Sequence, residues 1–318
     1  MTADSMKFSK EILKEVSRSF ALTIPMLDKE IKDEVLLTYL QDRILDNFED
    51  EINPPDLELQ KKMMDRVSRI FSPEDYDRSH DFKIIKEKSK LIKKDSLQKL
   101  NKNIEKIYDV YKGFDQQVKH ISHKWLVEMN RGMQKYLDKK VETFAELDEY
   151  CYYVAGTVGG FLTDLIIYKE ELEGERKNIL KENFNDAGLF LQKVNLIRDI
   201  RDDLENRNKN FWPLKELGIS EKELSDPKYK NEALGALSVM LDDVKKHRVG
   251  LKKYYLALPD SLSGYKKFFS VNNALGLATI KKLDNNPDIF YGNTAVKVSK
   301  LTFLNIIRAP EKYFLKQI

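Results

Sequence analysis

Cysteine is almost missing from this chain of 318 residues. Cys151 stands alone, which excludes an intramolecular disulfide and any cysteine-rich zinc site. Histidine is nearly as scarce, with only His80, His120, His123 and His247, so little is left for imidazole-based metal chemistry. Thirteen glycines and nine prolines fall below ordinary usage, which excludes a glycine-rich sandwich or a collagen-like chain and favours long helices. Neither sign of charge dominates: 55 Lys and Arg face 52 Asp and Glu, a net +3. That excludes a basic nucleic-acid tail or an acidic disordered chain, and no nucleic-acid partner is expected. No run approaches the roughly 18 apolar residues of a membrane span. The opening Met-Thr-Ala-Asp-Ser-Met-Lys lacks the apolar core of a signal peptide. These absences predict a soluble cytoplasmic protein without a transmembrane anchor. Its only membrane contact would be peripheral, through the amphipathic stretch 302–318. Any catalysis must fall to carboxylates, Tyr, Arg and Lys.

What is present is 42% hydrophobic and 34% charged, enough apolar material for a core beneath a highly charged surface. Apolar residues recur every three or four positions along most of the chain. The spacing predicts helices near 29–52, 57–71, 98–139, 143–172, 177–207, 229–257, 260–283 and 295–316. Asn53-Pro54-Pro55 and Phe211-Trp212-Pro213 act as stops. Residues 72–96 read as a charged loop with a short helix. No segment alternates like a strand, and no linker divides the chain. The expectation is one all-α domain, 1–318, built from stacked long helices.

Two segments repeat an acidic pattern: Asp46-Asn47-Phe48-Glu49-Asp50 and Asp199-Ile200-Arg201-Asp202-Asp203. Acids at i, i+3 and i+4 share one face of a helix, within reach of one cation, and hard oxygen ligands suit Mg²⁺. Acids are common enough here for such pairs to arise as ordinary solvated faces, so the neighbours matter. Tyr39, Arg43, Asp46 and Asp50 form a polar stripe on one helix, and Gln192, Asn195, Asp199 and Asp203 form another. Two such stripes facing each other would bracket a Mg²⁺–diphosphate cluster. Arg18 in Ser17-Arg18-Ser19-Phe20, with Arg43 and Arg198, supplies guanidinium groups suited to phosphate.

The stretch from Tyr150 to Gly160 is unusual for a helix, because Gly156, Gly159 and Gly160 each cost roughly 1 kcal/mol relative to Ala. Close helix–helix packing is one reason to keep them. A smooth wall of Val154, Gly156 and Gly159 for a long apolar substrate is another, and the two are compatible. Tyr150 is either a core aromatic or a group that handles a proton.

Taken together, Ser17–Phe20, Tyr39–Asp50, Tyr150–Gly159, Gly188–Asp199 and Phe211-Trp212-Pro213 resemble the squalene/phytoene synthase family, in the family's order. The resemblance runs from about residue 10 to residue 308. Its most specific part is Gln192-Lys193-Val194-Asn195-Leu196-Ile197-Arg198-Asp199. The wording around Tyr150, the Phe-Trp-Pro and the segment Ala295-Val296-Lys297-Val298-Ser299-Lys300 lie nearer the squalene synthases than the phytoene or dehydrosqualene synthases. Ser299 stands where an Arg is usual, and Asn272-Asn273 replaces a Pro-Gln.

The resemblance implies a single-domain isoprenoid-synthase-type helical bundle around a central apolar cleft. It implies condensation of two farnesyl diphosphates to presqualene diphosphate, then reduction to squalene by NADPH. Mg²⁺, or Mn²⁺ in its place, would be held by Asp46, Glu49, Asp50, Asp199, Asp202 and Asp203. Of these, Asp46, Asp50, Asp199 and Asp203 count with Tyr150 as catalytic. Ser17, Arg18, Ser19, Tyr39, Arg43, Gln192, Asn195, Arg198, Lys297 and Lys300 would contact diphosphate or cofactor phosphates. Phe20, Phe48, Val154, Gly156, Gly159 and Phe268 would line the apolar pocket of a monomer. Two other readings stay open. One is a synthase of the same family without the reductive step. The other is a non-catalytic helical scaffold, against which the intact acids of both motifs argue.

Overall fold

The structure is a computed structural model that describes residues 2–207 and 209–318. Among the described residues the chain is helical, and the only extended pairing is an isolated antiparallel bridge between Ile52 and Ile92. The principal helices are α1 Ala3–Val16, α2 Lys29–Asp50, α3 Leu57–Ile70, α4 Ser79–Lys88, α5 Asp95–Lys102, α6 Ile104–Tyr111 and α7 Gln116–Tyr136. They continue as α8 Phe144–Lys169, α9 Gly174–Arg198, α10 Lys230–Lys245, α11 Arg248–Ala257, α12 Ser263–Leu283, α13 Lys300–Arg308 and α14 Pro310–Leu315.

Local chemistry explains many starts. Side-chain oxygens of Thr2, Asp56, Asp115, Thr143 and Ser299 accept from backbone N–H groups in the first turns of α1, α3, α7, α8 and α13. Each such cap contributes about 1 kcal/mol.

Several predicted helices are broken. The stretch 98–139 is three helices, because the chain turns at Asn103 and again at Gly113–Asp115, where Asp115 caps α7. The stretch 229–257 breaks at Lys246–His247, and 295–316 breaks at Pro310. Residues 72–96 hold more order than their charge suggested. Asp81 of α4 is 2% exposed and is paired with Arg66 and Arg69, and the Tyr76 hydroxyl donates to it at 3.0 Å. Arg78, also buried, donates to the carbonyls of Ile70, Ser72 and Tyr76 at 2.8–2.9 Å. These charges are interior and fully engaged, so a rule that reads charge as surface misplaces them.

The chain groups into two compact units. The first comprises Met1–Asp138 and Phe161–Glu171. In it α2 packs against α1, α3, α6 and α7, around a core that includes Ile44, Phe48, Phe71 and Tyr111. The end of α8 is tied in by Lys169 to Glu34 at 2.9 Å and by Asp164, which accepts from the Trp125 indole at 2.9 Å. The second unit comprises Lys139–Gly160 and Leu172–Ile318. There α9 is central, flanked by α10, α11, α12 and the start of α8. Gly188 of α9 meets α8 so closely that a Cβ would lie 2.5 Å from the Ala155 carbonyl oxygen. A Cβ on Gly159 would lie 2.6 Å from the Phe184 carbonyl oxygen. The small residues therefore serve helix–helix contact. One helix, Phe144–Lys169, is long and apolar enough to cross a bilayer, although 61% of its apolar window is buried within the protein.

Candidate active site

In the first unit, α2 carries the predicted stripe. The guanidinium of Arg43 pairs with the carboxylate of Asp46. Carboxylate oxygens of Asp46, Glu49 and Asp50 all lie within 4.8 Å of one another, with Glu49 buried and Asp50 exposed. Burial works against the charge on Arg43, but Asp46 and the other acids around it outweigh that and hold its pKa above the usual arginine value. The Ser17–Phe20 segment reaches the same face. The Ser17 side chain hydrogen-bonds the Tyr39 hydroxyl, and the Phe20 ring lies 4.9 Å from the Tyr39 ring. Burial raises the Tyr39 phenol, so it stays protonated. Arg18 and Ser19 are exposed beside them. Phe48 is wholly buried, on the opposite face of α2 from Tyr39, and belongs to the core of this unit.

Asp42, one turn before Asp46, drew no notice in the sequence. Burial, with repulsion from Asp46, pushes its carboxyl up to about 8. Its signal was present as a fourth acid spaced i, i+4 and i+7 with Asp46 and Glu49, but periodicity alone does not measure desolvation.

In the second unit the other acidic motif is not on one straight helix. α9 ends at Arg198, Asp199 caps it, Ile200–Asp202 form one turn, and 203–207 widen into an i→i+5 turn. Among the described residues, Asp199, Asp202 and Asp203 do not gather oxygens as the first motif does. Arginines hold them instead. Arg198 Nε donates to Asp199 at 2.8 Å, and Arg207 lies 3.5 Å from Asp202 and 3.6 Å from Asp203. Arg198 stays charged above its usual range, chiefly through Asp199. Arg207 was not foreseen, although its place four residues after Asp203 was the available hint. Gln192 is half-buried and Asn195 exposed on α9.

Tyr150 is 6% exposed and stacks on Phe211 with ring centroids 4.2 Å apart, which fixes its ring plane. The helix then widens by one i→i+5 turn over 152–156, a feature common at functional sites. Val154 and Gly159 are half-buried and Gly156 is buried. Phe268 of α12 is buried beside Tyr265, with ring centroids 5.8 Å apart. Lys297 and Lys300 are exposed on either side of Ser299. The Ser299 hydroxyl accepts from Thr302 N at 3.1 Å and starts α13, so this position has taken on a capping role.

A second cluster of ligand-type groups, Asp148, Asp243 and His247, lies within the same 4.8 Å criterion. Its cation is already supplied, because the buried Lys193 ammonium pairs with Asp148 and sits 2.5 Å from Asp243. Burial opposes that charge, and the two carboxylates overcome it and raise the lysine's pKa. Lys193 of the Gln-Lys-x-Asn run therefore holds α9 to its neighbours.

A sequence model described as squalene/phytoene synthase matches residues 13–302. Among similar curated proteins, Squalene synthase 1 of Arabidopsis thaliana is 29% identical over 292 residues, covering 90% of this chain and 67% of that protein. The Squalene synthase of Dictyostelium discoideum is 31% identical over 295 residues, covering 91% and 66%. Lycopaoctaene synthase of Botryococcus braunii is 30% identical over 299 residues, covering 91% and 63%. The chain thus spans about two thirds of the length of these relatives. Among solved structures, TcSQS in complex with the ligand BPH1237 superposes with a TM-score of 0.86 at 28% identity, covering 99% of this chain and 89% of that one. A dehydrosqualene synthase in complex with a ligand gives 0.67 at 17% identity, covering 99% and 98%, which is a likeness of fold.

Proposed function

Because the chain belongs to the squalene/phytoene synthase family, we propose that it is a prenyl transferase that joins two farnesyl diphosphates head to head into presqualene diphosphate and reduces that product to squalene with NADPH. We take 1–318 to act as one synthase domain, as a cytoplasmic monomer. The observation that carries the reading is the carboxylate group Asp46–Glu49–Asp50 beside Arg43, in a chain matched to the family from residue 13 to residue 302.

That donor set is all hard oxygen and fits Mg²⁺, with Mn²⁺ acceptable to the same ligands. Asp46, Glu49 and Asp50, and Asp199, Asp202 and Asp203, are the residues that would hold it. An ion held by these residues would supply positive charge to neutralise a departing diphosphate. Arg43 and Arg198 are held in place by Asp46 and Asp199 and can turn a bidentate edge to phosphate when diphosphate enters. Ser17, Arg18, Ser19, Gln192 and Asn195 add donors around these two faces. Tyr150 is a poor base, since an ordinary phenol has a pKa of about 10. Its role is to donate a hydrogen bond that orients the released diphosphate, which takes up the proton as the cyclopropane closes. Phe20, against Tyr39, offers an aromatic face to an allylic cation without trapping it as a nucleophile. Val154 and Phe268 supply apolar surface for the prenyl chain.

Lys297 and Lys300, both exposed, offer cations for the cofactor's phosphates. The capping role of Ser299, where an Arg is usual, favours a second reading in which the enzyme stops before reduction, as a presqualene diphosphate, dehydrosqualene or phytoene synthase.

The test is incubation of purified protein with farnesyl diphosphate and Mg²⁺, with and without NADPH, with labelled geranylgeranyl diphosphate as a control. Squalene formed only with NADPH is the expected result. Presqualene diphosphate as the end product in both tubes selects the second reading. No product from either prenyl diphosphate refutes both. Asp46→Asn and Asp199→Asn should each abolish diphosphate release with the helical circular dichroism unchanged, and retained turnover in either would remove that acid from the metal set.

A further inference from the structure

An ammonium group lies in the interior beside the turn of α8 that carries Tyr150. Lys193 of α9 is 0% exposed, and it pairs with Asp148 of α8 and, at 2.5 Å, with Asp243 of α10. Asp243 is buried and also meets Lys246 at 3.2 Å. His247, in the turn after α10, has its Nδ1 2.7 Å from Asp186 of α9, which ties α9 to the same neighbour a second time. Lys193 is therefore held on a firmly anchored stretch of α9. Interior ion pairs add little net stability, because lost hydration offsets the attraction, and apolar groups of similar volume often do as well. What this pair supplies that apolar packing lacks is a single fixed place for each partner. Asp148 is the partner that shares a helix with Tyr150.

Tyr150 needs such a restraint. Stacking on Phe211, with ring centroids 4.2 Å apart, fixes the plane of its ring but lets the ring slide within that plane. Tyr150 lies two residues beyond Asp148, roughly 200° around α8 and about 3 Å along its axis. A slight rotation or slide of this turn is amplified at the phenol hydroxyl, which stands far from the axis. The backbone contact at Gly188 does not prevent it, because that contact falls at Ala155 and Gly156, inside the wide turn of 152–156. Cys151 is fully buried, and the charges of Lys193, Asp148 and Asp243 all act on its thiol, so the ion cluster lies against this turn.

We propose that Lys193 is a positioning residue for Tyr150: through Asp148 it sets the rotation and height of the first turns of α8, and so the place of the Tyr150 hydroxyl at the diphosphate. The inference rests on the reaction proposed above. Asp243 steadies the ammonium from α10 and is not part of the helix that Lys193 orients. Removing Asp148 or Lys193 frees the turn, whereas removing Asp243 weakens the cluster and leaves the Lys193–Asp148 pair in place.

The experiment measures turnover of farnesyl diphosphate and amide exchange on the full chain, well below the melting temperature of each variant. Lys193→Met and Asp148→Asn should each lower kcat by roughly 10- to 100-fold, the scale of a catalytic group displaced by about 1 Å, with KM nearly unchanged. Asp243→Asn is the structural control, and should lower stability while kcat stays within about twofold of the parent. Lys193→Met added to Tyr150→Phe should cost nothing further, because its effect passes through that hydroxyl. Amide exchange over 148–151 should quicken in Lys193→Met and Asp148→Asn and stay at the parent rate over 157–165. Turnover in both variants equal to the parent, an equal loss in Asp243→Asn, or losses that multiply with Tyr150→Phe overturns the inference and leaves the reaction standing. If the parent forms no product, the reaction is wrong, and exchange decides the rest: quickened exchange over 148–151 alone supports the restraint on this turn, and unchanged exchange overturns it.

Discussion

Gly188 gives the sharpest test of how the second unit is held together. A methyl group there would meet the Ala155 carbonyl oxygen at 2.5 Å, the Ala155 carbonyl carbon at 2.6 Å and the Gly156 nitrogen at 2.6 Å, where ordinary contact begins at 3.4 Å. All three are backbone atoms of α8, so no side chain can swing aside. The two helices would have to part by about 0.9 Å, and overpacking of this kind costs about 1–3 kcal/mol or more. Intrinsic helix propensity pulls the other way by about 1 kcal/mol, since Ala is the better helix former. Gly188→Ala should therefore be destabilised by up to about 2 kcal/mol net. Gly235 supplies the matched control. It lies inside α10, and a Cβ there would meet nothing within 4 Å. Gly235→Ala should gain about 0.5–1 kcal/mol by the same propensity term. Guanidinium titration, read through the buried Trp212 of the same unit, gives both midpoints. If Gly188→Ala is as stable as the parent or more so, the close approach of α8 and α9 is wrong and the glycines must be explained by a substrate wall instead.

Asp42 makes stability depend on pH. Its carboxyl is raised to about 8 in the folded state, so the native protein keeps a proton that the unfolded chain releases near pH 4. Stability should fall as pH rises from about 4 to about 8, by at most about 1.4 kcal/mol per unit, and Asp42→Asn should remove that slope in metal-free buffer. Parallel pH curves for the two proteins would refute the assignment. Lys193→Met removes the buried cation between Asp148 and Asp243; because Asp243 keeps Lys246 at 3.2 Å and Asp148 is half exposed, the cost should be about 1–3 kcal/mol in a thermal or denaturant melt. Ser299→Ala should cost α13 about 1 kcal/mol, visible as faster amide exchange over Lys300–Phe303, while Ser299→Asp should restore protection.

The α2 stripe could be read before any coordinates, because Tyr39, Arg43, Asp46 and Asp50 sit within one uninterrupted helix where spacing translates directly into a shared face. The second motif could not be read so well. Asp199 lies at a helix end and 203–207 form a wide turn, and over five residues a step of i+4 and a step of i+5 look alike in sequence. The break between α6 and α7 was hidden for a related reason: Val110, Tyr111 and Val118 are all buried, so apolar periodicity runs on through a turn whose only signals are Gly113 and Asp115.

Composition and periodicity by themselves determined an all-α chain, and the two acidic motifs with the Gln192–Asp199 run determined the family, because helix phase and motif wording are local properties. What only the tertiary structure decided concerns partners distant in sequence. Glycines at 159 and 188 are there because two backbones touch, Asp81 and Lys193 are interior because opposite charges meet them, and Asp42 holds its proton because partial burial and the neighbouring Asp46 both disfavour its charge. Desolvation and pairing are sums over neighbours in space, and a one-dimensional sequence does not contain that sum.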